Sequence, residues 1–480
     1  MTSIHPFWVA GVATTSNEIA QVLHPSDDSL VARHYVPSAQ DIEDAIRSAS
    51  TEAKSVQSTS AATRAEALMH VSRQLNERLE EVANLIVDEN GKPIMWARAE
   101  ALRAVATFRW AAEEVRRFSG EMQRLDTEVT TSGRMAIIRR FPYGPILGIS
   151  PFNFPINLVA HKLAPAIAVG APIIIKPAPS TPMCALLLGE LLAETNLPPG
   201  AWSILPIGNE LAPLLVQDQR LPVISFTGSD KVGYEIEKQV PAKRLTLELG
   251  GNAAAVVLAD WNSKQDLDWA ASRIATFGNY QAGQSCVSVQ RVLIHDSLFA
   301  HLSEQIVKNV LSLPNGDPRD EKVVVGPLIN VDAAIRVEAW IQQAVAQGAK
   351  LLCGGTRDGA FVEPAVLVDV PVNSNLMCSE VFGPVIVLAP FATTDEAFDL
   401  VNDSEFGLQA GIFTHDIQTA FKAHRELEVG GVIIGDVPSF RSDQMPYGGV
   451  KGSGSGKEGL RFAMEDLTHE RVMVLSGLDL

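Results

Sequence analysis

Cysteine is scarce in this sequence, and the spacing of its few cysteines excludes two common stabilising devices. Among 480 residues there are four, Cys184, Cys286, Cys353 and Cys378, and they form no CxxC pair. Cysteines so far apart indicate neither a disulfide framework nor the ligand spacing of a structural zinc site. We therefore expect four free thiols in a reducing cytoplasmic compartment and no bound metal.

Positive charge and long apolar runs are also in short supply. Lysine and arginine number 39 against 56 acidic residues, a formal charge of −17, which disfavours nucleic acids and anionic membranes as partners. The most apolar run, residues 163–175, contains Pro165 and Pro172 and is shorter than the roughly 20 residues of a spanning helix. The first sixteen residues lack a basic region followed by a long apolar stretch, so we expect no secretory signal.

The composition that remains is typical of a globular protein with more than one domain. Apolar residues make up 46% and charged residues 20% of the sequence, and the chain is too long for one ordinary core. From Ser38 to about Glu121 the apolar spacing predicts helices, one ending at Gly91 and a later one at Gly120. Residues 122–141 are predicted to form an extended ribbon.

Farther along the chain, short apolar runs alternate with helical segments. The runs ILGISPF, PIIIKPA, WSILPIG, PVISFTGS, RLTLELG and AAAVVLA are typical of strands, and INLVAHKLAPAIAVG and CALLLGELLAETN of helices. Fully apolar strands that alternate with helices predict a parallel, doubly wound α/β sheet. A second α/β series follows from about Trp269 to Gly431, and the tail HERVMVL is strand-like.

Cys286 is the first candidate for chemistry. It lies in NYQAGQSCVSVQRV, between small and polar residues. A lone cysteine is more often a small buried hydrophobe, but this setting favours a reactive thiol. A thiolate attacks a carbonyl carbon and leaves readily once water attacks the resulting thioester.

Two polar residues in apolar surroundings are the next candidates. Glu248 ends a predicted strand in LTLELGGN, where burial would raise its pKa toward the range of a general base. The alternative is an edge-strand carboxylate facing water. Asn153, in SPFNFPIN, either closes a turn or donates its amide hydrogens to an oxyanion.

Two further segments have the features of a nucleotide site. Lys176 ends a predicted strand in IIIKPAPSTP, at the sheet edge where doubly wound folds bind ligands. Gly228 and Ser229, in FTGSDKVG, precede a helix whose first N–H groups could meet a phosphate. The literal GxGxxG within PYGGVKGSGSGKEG follows no strand, so we interpret it as a structural loop.

Taken together, these motifs resemble those of the aldehyde dehydrogenase superfamily. SPFNFPIN, IIIKPA, FTGS, LELGGN, GQSC, EVFGPV and MPYGGVKGSGSG occur in that family's order, from about residue 20 to the C-terminus. Within that family the pattern resembles non-phosphorylating glyceraldehyde-3-phosphate and phosphonoacetaldehyde dehydrogenases, and lactaldehyde dehydrogenases in its final segment.

The resemblance implies an α/β fold with three parts. A variant Rossmann cofactor domain would comprise residues 1–121 and 142–247, and an α/β catalytic domain residues 248–463. A β-ribbon oligomerisation element would comprise residues 122–141 and 464–480, in a homodimer or homotetramer.

The resemblance also implies roles for individual residues. Cys286 matches the nucleophile, its own backbone N–H and the Asn153 amide form the oxyanion hole, and Glu248 activates the deacylating water. NAD or NADP would be the cofactor, with Lys176 at the adenosine ribose, Ser229 at the pyrophosphate and Glu380 at the nicotinamide-side ribose. The implied cofactor-binding residues are Ile149, Ser150, Pro151, Phe152, Lys176, Pro179, Gly228, Ser229, Val232, Leu249, Gly250, Glu380 and Phe382.

Two departures from the family pattern bear on the site. Pro179 stands where NAD-preferring members often have a glutamate that holds the adenosine ribose, so use of NADP is expected. The carboxylate often found after the threonine matched by Thr468 is replaced by His469, followed by Glu470. The sequence leaves open whether either of these takes part in proton relay.

The substrate is inferred from two arginines. Arg103 and Arg441 match positions near the mouth of the family's substrate tunnel, with Phe154 and Ser285 as further substrate-binding candidates. A guanidinium binds an anionic group in a planar fork, so we expect a short aldehyde with an anionic or hydroxylated far end. The alternative is that both arginines form surface ion pairs. Two other functions stay open: a CoA-acylating dehydrogenase or acyltransferase, and a catalytically silent scaffold.

Overall fold

The computed structural model describes residues 4–477 and contains two large β-sheets. The first sheet has eight strands, of which the central five are parallel. In order across the sheet these strands are Gly454–Ser455, Arg244–Glu248, Val223–Thr227, Ile146–Ile149, Ile173–Lys176, Trp202–Ile204, Phe7–Val9 and Val12–Thr14. Ile146–Ile149 and Ile173–Lys176 are buried along their whole length, as expected of parallel strands covered on both faces.

The second sheet has seven strands, parallel except at one edge. Its order is Lys350–Cys353, Ala365–Val368, Val385–Phe391, Arg291–His295, Ala254–Val257, Gln409–Phe413 and Gly431–Ile434. Parallel strands and intervening helices in both sheets confirm the predicted α/β class.

Smaller sheets surround these two. Thr468–Ser476, Arg134–Pro142 and Glu121–Arg124 form an antiparallel ribbon, as predicted from the sequence. The other small sheets comprise Ile4–His5 with Leu30–Tyr35 and Ile19–Leu23, Arg357–Asp358 with Phe361–Val362, and Phe406–Gly407 with Val450–Lys451.

Helices connect most of the parallel strands. The α-helices are Ala39–Thr51, Ala53–Ser58, Ala61–Glu77, Leu79–Asn90, Ile94–Val115, Asn157–Val169, Met183–Ala193, Ala212–Val216, Asp230–Gln239, Lys264–Asn279, Asp296–Leu311, Val331–Ala346, Asn375–Cys378, Thr394–Asn402, Ile417–Glu426 and Leu460–Asp466. Short 3₁₀ turns occur at Val129–Thr131 and Tyr280–Gly283. Within residues 4–477, every helix is too short or too polar to serve as a membrane span.

The sequence predicts that two helices end at glycines, and the structure confirms one of these ends and contradicts the other. Gly91 closes its helix with φ +71°, in the left-handed conformation that glycine adopts without strain. The prediction for Gly120 was wrong, because that helix ends at Val115. A Cβ on Gly120 would lie 2.0 Å from the carbonyl oxygen of Ile138, so this glycine allows close approach within the ribbon instead.

The strand order of the first sheet explains where a ligand can bind. Successive strands run outward from Ile146–Ile149 in one direction, and the chain then returns to its other side at Val223–Thr227. At such a reversal the connecting loops diverge and leave a crevice at the carboxyl ends of the strands.

The helix Leu460–Asp466 also packs into the core of this sheet, through Leu460 and Met464. It is far along the chain from the other strands and helices that surround it.

Candidate active site

A cavity of about 890 Å³ opens at the carboxyl ends of the first sheet. Ile149, Lys176, Thr227 and Glu248 are the last residues of four adjacent strands, and all four line it. Every site residue predicted from the sequence lines the same cavity. These residues are Cys286, Glu248, Asn153, Ile149, Ser150, Pro151, Phe152, Lys176, Pro179, Gly228, Ser229, Val232, Leu249, Gly250, Glu380, Phe382, Arg103, Phe154, Ser285 and Arg441.

A strained turn presents Cys286 to this cavity. Gln281 and Ala282 have φ values of 54° and 53°, a left-handed conformation that costs a non-glycine residue about 1–3 kcal/mol. The next residue, Gly283, fits because a Cβ there would meet the carbonyl oxygen of Gly383 at 2.0 Å. Cys286 Sγ lies 2.9 Å from Tyr447 Oη. Burial raises the pKa of the thiol to about 12, and the Tyr447 hydrogen bond opposes that rise.

Two side chains hold the backbone carbonyl group of Asn153 in place. Its carbonyl oxygen accepts hydrogen bonds from Lys92 Nζ, at 2.8 Å, and from Gln281 Nε2. Lys92 is itself buried in an ion pair with Glu100. The Asn153 side chain donates from Nδ2 to the carbonyl oxygen of Gln284 at 3.0 Å. An amide nitrogen carries two hydrogens, so the second remains for a ligand.

Glu248 is a buried carboxyl with an unusual environment. The residue is 3% exposed, and its Oε1 has no hydrogen-bond partner among the described residues. Burial is the main reason why its pKa lies well above the ordinary value, and the neighbouring Glu458 carboxylate adds to the shift. A raised pKa brings a carboxylate closer to the range in which it takes a proton from water.

The glycine-rich loop packs directly against the strand that carries Glu248. Gly454 pairs with Glu248 in antiparallel register, and a Cβ on Gly454 would lie 1.9 Å from the carbonyl oxygen of Leu247. A Cβ on Gly448 would lie 3.2 Å from Glu248 Oε1. These close approaches give the loop the predicted structural role, but the expectation that no strand precedes it was wrong, because Val450–Lys451 forms a short strand.

The other end of the cavity has the features of a dinucleotide site. Gly228 and Ser229 precede the helix Asp230–Gln239, with Ser229 as its N-cap, so the first N–H groups and the positive end of the helix dipole can meet a phosphate. Lys176 Nζ lies 3.1 Å from Asn209 Oδ1. Burial lowers the pKa of Lys176 to about 8.

Two further features complete this end of the cavity. Glu380 accepts a hydrogen bond from the Gly251 N–H at 3.0 Å, and burial raises its pKa to about 7. A Cβ on Gly250 would lie 2.8 Å from Glu380 Oε2, so the glycine allows this carboxyl to reach the cavity wall. The rings of Phe152 and Phe382 meet edge to face, 5.8 Å apart. These residues fit a bound NAD or NADP.

Both candidate substrate arginines already contact carboxylates. Arg103 Nη2 lies 2.8 Å from Asp443 Oδ1, and Arg441 Nη2 lies 2.8 Å from Glu458 Oε2. The alternative of ion pairs is therefore met for both arginines, but only Arg103, 29% exposed, lies near the surface, and Arg441 is 9% exposed. The Arg103 guanidinium lies 5.7 Å from the centre of the Phe154 ring.

His469 and Glu470 lie away from the cavity that holds Cys286. Neither is among its lining residues in the described part of the chain. Glu470 pairs with Arg140 at 2.6 Å on the ribbon, and the His469 ring lies 5.1 Å from the ring of Tyr143.

A cluster of buried polar side chains beside Cys286 was not predicted from the sequence. Its members are Tyr447, Glu458, Asp443, His161 and Lys162, all less than 9% exposed. One signal was available: a histidine and a lysine stand next to each other in the helix Asn157–Val169, whose other residues after Asn157 are apolar. Charged side chains on a fully buried helix need partners.

Comparisons with known proteins agree with this geometry. Residues 11–473 match the model of the aldehyde dehydrogenase family. The chain is 41% identical over 470 residues to a 3-sulfolactaldehyde dehydrogenase of Priestia aryabhattai, covering 98% of this chain and 97% of that one.

Solved structures share the whole fold. Aldehyde dehydrogenase 21 of Physcomitrella patens, in complex with the reaction product succinate, superposes with a TM-score of 0.97 at 40% identity and covers 100% of this chain and 99% of its own. A glyceraldehyde-3-phosphate dehydrogenase of Methanocaldococcus jannaschii, complexed with NADP, gives a TM-score of 0.91 at 36% identity, covering 96% and 100%. The resemblance inferred from the motifs is thereby confirmed: the chain belongs to the aldehyde dehydrogenase family and is an NAD(P)-dependent aldehyde dehydrogenase.

Proposed function

We propose that the enzyme oxidises a short, anionic aldehyde to its carboxylic acid through a thioester on Cys286. The Cys286 thiolate attacks the aldehyde carbon, and the resulting oxyanion accepts hydrogen bonds from the Asn153 amide and the Cys286 backbone N–H. Fixed donors stabilise such a charge without reorganisation. The observation that supports this cycle is the convergence of Cys286, Asn153 and Glu248 on one cavity.

Glu248 completes the cycle in this proposal. Once the thioester has formed, the Glu248 carboxylate takes a proton from water, and the resulting hydroxide attacks the thioester carbonyl and releases the acid. Its raised pKa and its place at the end of a rigid strand suit it to hold and activate that water.

The coenzyme supplies one part of the chemistry: bound nicotinamide accepts two electrons and the aldehyde hydrogen. On this chain Glu380 and Phe382 would hold the nicotinamide end, Ser229 the pyrophosphate, and Lys176 the adenosine ribose. Pro179 leaves no carboxylate to repel a 2′-phosphate, so we propose that NADP is used.

The division of the chain into parts is also a proposal. The eight-stranded sheet would be the core of the cofactor domain and the seven-stranded sheet that of the catalytic domain. The ribbon exposes Met122, Val472, Met473 and Val474, each more than half accessible to solvent, and we propose this surface as the oligomer contact of a cytoplasmic homodimer or homotetramer.

An anionic substrate is supported by the two cavity arginines and by the relatives. Arg103 and Arg441 line the cavity that holds Cys286, within a chain of net charge −17 that would otherwise repel an anion. One relative is named for a sulfonate-bearing aldehyde, and another was solved with the dicarboxylate succinate.

A substrate and product panel tests the proposal. Sulfolactaldehyde, succinate semialdehyde, lactaldehyde and a neutral aldehyde of equal length would each be mixed with NAD or NADP, with and without CoA. We expect reduced coenzyme and a free acid, with the anionic aldehydes preferred. A CoA thioester as the product would favour an acylating enzyme, and the absence of reduced coenzyme with every aldehyde would favour a silent scaffold.

A further inference from the structure

The Tyr447 hydroxyl is the one hydrogen-bond partner of the Cys286 thiol within residues 4–477. Its Oη lies 2.9 Å from Cys286 Sγ, and among residues 4–477 it makes no other hydrogen bond. The remaining neighbours of the thiol in this cluster are the apolar side chains of Val287 and Leu408.

Several contacts fix the Tyr447 ring in this position. Its backbone N–H donates to the Glu458 carbonyl oxygen at 3.1 Å, and the Glu458 N–H donates back at 2.6 Å. The Arg441 guanidinium stacks 3.8 Å above the ring, and Glu458 in turn holds Arg441 at 2.8 Å. The hydroxyl is thus directed at the thiol by rigid parts of the protein, as a preorganised donor must be.

The direction of this hydrogen bond follows from the environment of the phenol. Burial keeps the pKa of Tyr447 well above its usual value, so the hydroxyl retains its proton at neutral pH. When Cys286 ionises, its sulfur can only accept, and the phenol is then the donor. Hydrogen bonds to an ionised partner are the stronger class.

We propose that Tyr447 is a catalytic residue that holds the thiolate form of Cys286 with a hydrogen bond from its hydroxyl. The proposal deepens the role given to Cys286 under the proposed function and rests on it. Tyr447 keeps its own proton throughout and is not the base that deprotonates the thiol. The bond offsets part of the burial that disfavours a charged sulfur, and it breaks when the sulfur forms the S–C bond to the substrate.

Other charged groups near the thiol act on it from different elements. Glu380 and Glu248 disfavour its ionisation, and Arg441 favours it. A test must therefore remove the hydroxyl and leave these three in place. Tyr447→Phe does so, because the ring that packs against Arg441 remains.

The measurement is alkylation of the resting enzyme by iodoacetamide, followed by mass spectrometry of the peptide that contains Cys286. The thiolate displaces iodide and forms an S–C bond, so below the thiol pKa the rate follows the thiolate fraction. We expect Tyr447→Phe to lower the rate at fixed neutral pH about three- to tenfold, because losing the hydrogen bond lowers the thiolate fraction. The fall in rate is smaller than the fall in thiolate fraction, because the thiolate of a less acidic thiol is somewhat more nucleophilic. The acylation burst with aldehyde and coenzyme should slow with it.

A matched control and a second variant make the result decisive. Tyr280→Phe deletes a buried phenol hydroxyl from the same cavity wall, but that hydroxyl bonds Ser285 Oγ at 2.7 Å, so the alkylation rate should stay near that of the wild type. Incorporation of 3-fluorotyrosine at position 447 strengthens the donor and should raise the rate.

Equal rates in wild type and Tyr447→Phe, or a fluorotyrosine effect in the same direction as the phenylalanine effect, would overturn the proposal. Should Tyr447→Phe fail to fold, the fluorotyrosine protein decides alone, since its ring and hydroxyl stay in place. Alkylation needs neither aldehyde nor coenzyme, so this result is separate from any failure of the proposed reaction.

Discussion

Arg441 and Glu458 form an ion pair inside the protein, with Arg441 Nη2 2.8 Å from Glu458 Oε2 and side chains 9% and 3% exposed. Burial alone would raise the pKa of Glu458, but Arg441, Lys162 and His161 together lower it to about 2. The pair is therefore fully charged at neutral pH. It joins the glycine-rich loop to the wall of the cavity that holds Cys286.

The first prediction concerns the stability that this pair provides. Arg441→Met leaves a buried carboxylate with fewer cationic partners and should lower the free energy of unfolding by about 3–5 kcal/mol. Adding Glu458→Gln should restore part of that loss, because it removes the buried carboxylate; the restoration is incomplete because Lys162, 3.7 Å from Glu458, then loses its ion-pair partner. Denaturant melts of the single and double variants measure both effects; additive losses would mean that the two residues do not interact.

The second prediction concerns the nucleophile. Cys286→Ala should abolish aldehyde oxidation, since no other described thiol shares its contact with Tyr447 and could replace it. Coenzyme binding should stay intact. Cys353→Ala is the matched control: this cysteine is half-buried at the edge of the second sheet, outside the cavity lining. Substantial turnover in Cys286→Ala, measured as reduced coenzyme, would remove Cys286 from the reaction.

The sequence was sufficient to predict the residues that lie at strand ends. Glu248 and Lys176 each end an apolar strand, and parallel strands end at the same edge of a sheet, so the pattern alone predicts that they share a cavity. Cys286 instead lies in the turn between Tyr280–Gly283 and the strand Arg291–His295, and its motif, not a strand end, marked it as a site residue. The positions of these residues can thus be predicted from short segments, by their periodicity and by the order of the motifs.

Contacts between distant segments could not be predicted in the same way. Asp443 pairs with Arg103 across 340 positions of the chain, and nothing near either residue marks the other as its partner. Gly120 has the sequence of a helix end, but its role depends on the ribbon carbonyl at Ile138. Tyr447 lies in a motif that was recognised, yet only the folded loop directs its hydroxyl at Cys286.

The third prediction concerns Glu248. Glu248→Gln should slow deacylation more than acylation, so reduced coenzyme should appear in a burst of about one equivalent per site, followed by slow turnover. In the wild type, deacylation should quicken with pH above the ordinary carboxyl range, because the base acts only when deprotonated and burial raises its pKa. Glu237→Gln, on the exposed face of a helix, is the control. A burst and a steady state that fall equally would count against this role.

The fourth prediction concerns the choice of coenzyme. Pro179 is exposed at the rim of the cavity, three residues after Lys176. Pro179→Glu should raise KM for NADP selectively, since a carboxylate repels the 2′-phosphate. Pro179→Gln introduces a side chain as long as glutamate but without its charge, so it should change the NADP/NAD ratio of kcat/KM much less. An equal ratio in all three proteins would show that the position does not select the coenzyme.

The fifth prediction concerns the anionic end of the substrate, and Arg103 tests it more sharply than Arg441. Arg441 also stacks on Tyr447 and neutralises Glu458, so its loss should impair every substrate. Arg103 is more exposed and shares Asp443 with His161, which lies 2.9 Å from the same carboxylate. Asp443 therefore keeps a partner in Arg103→Ala, and the variant should fold.

We expect Arg103→Ala to raise KM about 10- to 100-fold for an anionic aldehyde, the loss of a charge-assisted hydrogen bond, and to leave KM for a neutral aldehyde of equal length nearly unchanged. Arg109→Ala, which removes an exposed arginine from the same helix, controls for net charge. Because the guanidinium must leave part of its contact with Asp443 to bind the substrate, Asp443→Asn should lower KM for the anion. Equal KM changes for both aldehydes would mean that Arg103 supports the fold of the cavity and does not bind the anion.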